Sequence, residues 1–172
     1  MLKRVSSQMH LSNVKPFISI KIYINNILYK PYMKLFGKSK QEKKVLFVCV
    51  ENAGRSQMAE GFFRKFSPKG YVSISAGTRP TSEVNPIAVQ VMKEVGIDIG
   101  KQHPKELSEE IIRSSILNVN MGCMDKAECP AVFLGKYVDW NIEDPKDKPI
   151  EKVRQIRDNI EEKIKELCKT LE

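Results

Sequence analysis

The chain has 172 residues, 41% of them hydrophobic and 29% charged, which is the composition of one ordinary globular domain rather than a disordered or fibrous chain. Its net charge of +8 is uneven: residues 1–44 carry ten Lys or Arg against one acid, Glu42, while residues 45–172 carry 19 basic and 20 acidic residues, so no basic nucleic-acid face is expected. Four cysteines are too few for a disulfide-stapled secreted scaffold, and the one candidate apolar stretch, Phe17 to Tyr29, is short and broken by Lys21, Asn25 and Asn26, which excludes a membrane-spanning helix.

The first segment, residues 1–43, is basic and ends in the polar run from Gly37 to Lys44. Ile18, Ile20, Ile22 and Ile24 alternate with Ser19, Lys21 and Tyr23, a weak strand pattern. A disordered leader, a targeting or anchoring segment, and a start codon read too far upstream of Met33 all fit. The compositional shift puts this extension outside the fold and the domain at 44–172.

From Lys44 the pattern alternates between strand and helix. Val45 to Val50 is a continuous apolar run, as a strand buried on both faces requires. Glu51 to Arg55 forms a polar turn containing Gly54, Ser56 is placed to cap a helix, and Gln57 to Phe66 has apolar residues at helical spacing. Tyr71 to Ala76 reads as a second strand. Asn85 and Pro86 open a second helix that Gly96 closes. Ser108 to Arg113 predicts a short helix, Ile116 to Met121 a third strand and Tyr137 to Trp140 a fourth. From Ile150 to the end, Val153, Ile156, Ile160, Ile164, Leu167 and Leu171 make one apolar stripe. Cys168, four residues after Ile164, belongs to that helix packing. Strands separated by helices imply a parallel sheet covered on both faces.

The segment that carries chemistry runs from Cys49 to Ser56. Cys49 ends a buried strand, five residues turn, and a helix begins just after Arg55. The backbone N–H groups of Val50, Glu51, Asn52, Ala53, Gly54 and Arg55 are then gathered at a helix N-terminus, an anion-binding cradle. Arg55 adds a planar fork for two oxygens of a tetrahedral oxyanion. The same field should hold Cys49 as a thiolate, below the ~8.5 of an ordinary thiol, with Ser56 donating a hydrogen bond to it. A buried small residue on an apolar strand would need neither Arg55 nor Ser56.

These residues resemble the low-molecular-weight protein tyrosine phosphatase superfamily, and Arg55 to Glu60 is similar to its arsenate reductase branch. Tyr71 to Gly77, Asn85-Pro86 and Asp144-Pro145 fall in the same order as that family's landmarks. The resemblance implies a three-layer α/β fold with a four-stranded parallel sheet flanked by helices. It also implies that Asp144 is the general acid, since a departing oxygen needs a proton. Glu143 and Asp147 are the neighbouring carboxylates from which the sequence does not separate it.

Cys123 and Cys129 divide the branches. They follow the third strand, and in a parallel sheet Cys123 should emerge on the edge that carries Cys49. A phosphatase needs neither, whereas a reductase must return two electrons to its nucleophile through a neighbouring dithiol. Two unrelated thiols or a zinc site are the other readings, although a Cys-x5-Cys spacing with no nearby His lacks the usual tight ligand pattern. The resemblance implies a three-cysteine relay through Cys49, Cys123 and Cys129, arsenate as substrate, thioredoxin or a similar dithiol as reductant, and no metal or organic cofactor. A reducing, cytoplasmic setting fits catalytic thiols. Some reductases of this family bind potassium beside the phosphate loop. Asn52, Glu60 and Ser75 look like three of those ligands, but Lys105 stands where an Asp is expected and should oppose a cation. Lys146, Asp147 and Lys148 after Asp-Pro offer no aromatic platform for a phosphotyrosine ring. His10 and His103 fit surface or cap positions. The alternatives are a low-molecular-weight phosphatase hydrolysing a Cys49 phosphoenzyme, and a non-enzymatic domain that merely holds phosphate.

Overall fold

The computed structural model describes residues 42–122 and 136–171. Among them, four strands form one parallel sheet in the order β2-β1-β3-β4: β1 (Lys43–Cys49), β2 (Tyr71–Gly77), β3 (Ser115–Asn120) and β4 (Tyr137–Asp139). The helices are α1 (Arg55–Phe66), α2 (Pro86–Glu94), α3 (Glu109–Ser114) and α4 (Ile150–Leu171). None of the described helices is long and apolar enough to cross a membrane.

The alternation of β1 sorts its side chains between two layers. Val45, Phe47 and Cys49 join the larger core with Met58, Phe62 and Phe63 of α1, Val91 and Met92 of α2, and the Ile156, Ile160, Ile164 stripe of α4. Phe47 packs against Phe63 with ring centroids 5.6 Å apart and against Trp140 at 5.8 Å. Leu46 and Val48 face the opposite way and meet Ala76 and Ile112, which α3 supplies. Both faces of the central strand are therefore covered, which explains its uninterrupted apolar run and makes the fold a three-layer α/β sandwich. Cys168 is buried in the larger core at the end of the α4 stripe.

Parallel pairing sends the carboxyl ends of all four strands to one edge. Cys49 pairs with Gly77, and Val48 with Asn120, so β1 and β3 finish side by side. The chain continues beyond β3 in the same alignment: Met121 N donates to Val48 O at 2.9 Å. In turn Ile142 N donates to Met121 O at 2.9 Å, which ties the Asp-Pro segment to the end of β3.

The expected elements recur within a residue or two, with one correction. Asn85 caps α2 through Oδ1, which accepts from Ile87 N at 2.8 Å and Ala88 N at 3.3 Å, with Pro86 in the first turn. Ser56, in contrast, is not a cap. Helix α1 begins one residue earlier at Arg55, behind Gly54, and no side chain caps it. The Ser56 hydroxyl is engaged elsewhere, by Cys49 and Asn52.

Candidate active site

The loop from β1 to α1 is a ring of peptides whose carbonyls are all committed outward. Val50 O accepts from Arg79 N (2.9 Å), Glu51 O from Thr81 N (3.0 Å), Asn52 O from Gln57 Nε2 (2.8 Å), Ala53 O from Asn85 N (2.9 Å) and Gly54 O from Met58 N (3.0 Å). Each peptide plane carries its N–H opposite its carbonyl, so the N–H groups of Glu51 through Arg55 are turned toward the centre. The Asn52 N–H shows this directly, donating to Cys49 Sγ at 3.2 Å. Val50 contributes to the ring through its carbonyl. An inward ring of N–H groups at the start of a helix is suited to an anion.

Asn52 holds the ring in shape. It is fully buried with φ +48, a left-handed conformation that asparagine tolerates better than most residues. Its Oδ1 accepts from Lys105 N at 2.7 Å and Gln57 Nε2 at 3.1 Å, and its Nδ2 donates to Ser56 Oγ at 2.8 Å. Ser56 Oγ accepts from Asn52 and lies 2.9 Å from Cys49 Sγ, and once Cys49 is a thiolate only the Ser56 hydroxyl can donate across that contact. The sulfur thus faces two donors, Ser56 and the Asn52 peptide, at the positive end of α1, an arrangement that favours the thiolate. Replacing Ser56 with alanine removes one of those donors. Iodoacetamide alkylation of Cys49 at neutral pH should slow about tenfold, matching the ~1.5 kcal/mol of a hydrogen bond to a charged group. Unchanged alkylation kinetics would show that Ser56 does not stabilise the thiolate.

Arg55 is buried and reaches across to the Asp-Pro segment. Its Nη1 donates to Ile142 O at 3.0 Å and its Nη2 pairs with the Asp144 carboxylate. Asp144 and Pro145 line one cleft with Cys49, Arg55 and Asn85. Pro145 lies so close to Gly54 that a Cβ there would come within 2.9 Å of its Cγ. The neighbouring carboxylates separate from Asp144 by position. Glu143 is held by Lys152 at 2.9 Å and Lys148 at 3.3 Å; the Lys152 hydrogen bond first, then that of Lys148, keeps its carboxyl below the ordinary range and so ionised. Among the described residues, Asp147 does not line the cleft.

The residues resembling a potassium site do not fit that ion. The Glu60 carboxylate is held by the Lys105 ammonium at 3.2 Å and by the Ser75 hydroxyl, while Lys105 Nζ also donates to His103 O at 3.1 Å. The expected opposition of Lys105 to a cation becomes something more definite: a tethered ammonium already neutralises the carboxylate.

Cys123 and Cys129 lie outside the described residues. The chain leading to them is described as far as Gly122, which has φ +85 and whose N–H donates to Asn120 Oδ1 at 3.2 Å. Sequence reasoning missed the Asn52 hub, the Gln57–Gln102 support behind it (Nε2 of Gln102 to Oε1 of Gln57, 2.6 Å), and the ion pair between Glu51 and Lys146. Gln57 offered a signal, as a polar residue on an otherwise apolar helix face.

The fold and this strand-turn-helix site are those of small phosphatase-like enzymes built around a cysteine and an arginine. Residues 44–172 match the model of the low molecular weight phosphotyrosine protein phosphatase family, and the chain belongs to that family. It is 38% identical over 127 residues to arsenate reductase 2 of Staphylococcus saprophyticus, covering 73% of this chain and 95% of that protein. A solved arsenate reductase in its phosphate-binding state superposes with a TM-score of 0.69 at 31% identity, covering 76% of this chain and 99% of the other. The thioredoxin-dependent arsenate reductase of Corynebacterium glutamicum superposes with a TM-score of 0.65 at 30% identity, covering 90% and 71%.

Proposed function

We propose that this chain is an arsenate reductase that takes its electrons from thioredoxin or a similar dithiol protein in the cytoplasm, with residues 44–172 as the catalytic domain and the first 43 outside it. The named activities of the relatives support the reaction. The observation that carries the assignment to these residues is the register of β1 and β3. Met121 is hydrogen-bonded to Val48, the residue before the nucleophile, and Cys123 follows two residues later. The described chain runs along that edge as far as Gly122, the residue before Cys123 in the sequence, which supports Cys123 as the resolving thiol.

The chemistry follows from the parts. Arsenate seats its oxygens on the N–H groups of Glu51 to Arg55 and on the Arg55 fork, which Asp144 then yields. The Cys49 thiolate attacks arsenic, a protonated Asp144 gives its proton to the departing oxygen, and water leaves. Cys123 as thiolate then attacks Cys49 Sγ. The S–As bonding pair stays on arsenic, which departs as arsenite, and a Cys49–Cys123 disulfide remains. Cys129 attacks Cys123, frees Cys49 and moves the disulfide to Cys123–Cys129, where the external dithiol reduces it.

A phosphatase reading is supported by the family itself and by Asp144 beside Arg55. It would use Cys49, Arg55 and Asp144 alone. One comparison decides. Arsenite release coupled to thioredoxin and its reductase should fall to background in Cys123→Ser and Cys129→Ser. Turnover of p-nitrophenyl phosphate should survive both and vanish only in Cys49→Ser. Brisk ester hydrolysis without any arsenite release by the unaltered protein would replace the reductase with the phosphatase.

A further inference from the structure

The cleft is crossed by a contact that neither the phosphate grip nor the relay uses. Glu51 of the phosphate loop and Lys146 of the Asp-Pro loop both line it, and Lys146 Nζ lies 2.6 Å from Glu51 Oε1. Each end is anchored. The Glu51 backbone is fixed by its carbonyl to Thr81 N at 3.0 Å, and Lys146 N donates to Asp144 Oδ1 at 3.0 Å. The two loops therefore close on one another at three successive points: Arg55 on Asp144, Gly54 against Pro145, and Glu51 on Lys146.

In-line displacement fixes where the leaving oxygen points. It departs opposite Cys49, toward Asp144 and the meeting line of the two loops. When the leaving group is hydroxide or water, nothing has to pass that line. When it is an alkoxide or phenolate, its carbon substituent must exit between the loops, where the Glu51–Lys146 pair stands. We propose that the Glu51–Lys146 pair is a specificity determinant that selects bare tetrahedral oxyanions against organic phosphate esters. This inference rests on the reductase reading only for the identity of the leaving group. The hydrogen bond that Lys146 donates to Glu51 holds the lysine above its usual range, so its ammonium stays charged throughout the range in which the enzyme would work.

The test measures selectivity rather than turnover. In a Cys49→Ser background, dissociation constants for inorganic phosphate and for phenyl phosphate are compared by calorimetry with and without Lys146→Gln. The pair is partly exposed, so the ratio of the two constants should move about fivefold toward phenyl phosphate, the upper end of what such a pair supplies. Exchanging the partners, Glu51→Lys with Lys146→Glu, should restore the original ratio. An unmoved ratio, or equal gains for both ligands, overturns the proposal. A moved ratio in a protein that releases no arsenite would sink the reductase reading and leave the selector standing.

Discussion

Replacing Arg55 with lysine should lower kcat/KM about 10³-fold for arsenate and aryl phosphate alike, the scale on which a preorganised oxyanion donor acts. Charge alone is not what the site uses. One guanidinium arm is committed to the Ile142 carbonyl at 3.0 Å and the other lies on Asp144, in the position from which a bound oxyanion takes it over. A lysine ammonium is a point charge without a fork, and cannot hold the Asp-Pro loop and two substrate oxygens together. The variant should therefore also exchange amide hydrogens faster around Ile142, since its loop has lost a tether. Steady-state kinetics and phosphate calorimetry check the first effect. A lysine variant keeping more than a tenth of the activity would show that the fork is dispensable.

Replacing Gly77 with alanine should cost oxyanion binding more than 100-fold, although residue 77 touches no substrate. Gly77 is the last residue of β2, paired with Cys49, and the phosphate loop folds directly over it. An added Cβ would press into the Val50 carbonyl oxygen and come within 2.9 Å of Asn52 N. Both are backbone atoms of the ring, so no rotamer change relieves the clash. Gly77 is pinned too, its N–H to Lys105 O and its carbonyl to Leu107 N, both at 2.8 Å. The loop must move instead, and displacements near 1 Å are enough for a 10²-fold loss. Overpacking should also remove roughly 1–3 kcal/mol of stability. Phosphate titration and urea unfolding of the same variant separate the two effects. Wild-type phosphate affinity would mean that the ring tolerates the shift.

What could be read from the sequence was local in the chain. The buried run of β1, the Asn85-Pro86 cap and the α4 stripe each depend on residues within a few turns of one another. The nucleophile and its arginine are legible for the same reason, six residues apart on a strand-turn-helix. Contacts set by folding were not. Arg55 meets Asp144 across 89 residues and Glu51 meets Lys146 across 95, and no local pattern encodes either pairing. Ser56 carried two readings, helix cap and partner of the Cys49 sulfur; only the second holds, because one hydroxyl cannot serve both and Gly54 takes the cap position. Lys105 was read only as an obstacle to a cation, because its reach to Glu60 depends on how the segment after α2 returns over α1.

Two backbone links and one side-chain link run in series through the site: Met121 to Val48, Ile142 to Met121, and the Arg55 guanidinium to the Ile142 carbonyl. Both gateposts of the stretch from Cys123 to Gly135 stand on β3, with Gly122 fastened to Asn120 on entry and the Lys136 carbonyl to Asn118 N, at 2.8 Å, on exit. The described grip on the anion therefore hangs from the middle of the sheet: its links close between β1, the end of β3 and the Asp-Pro segment, so a change that shifts β3 reaches Arg55 through two peptides.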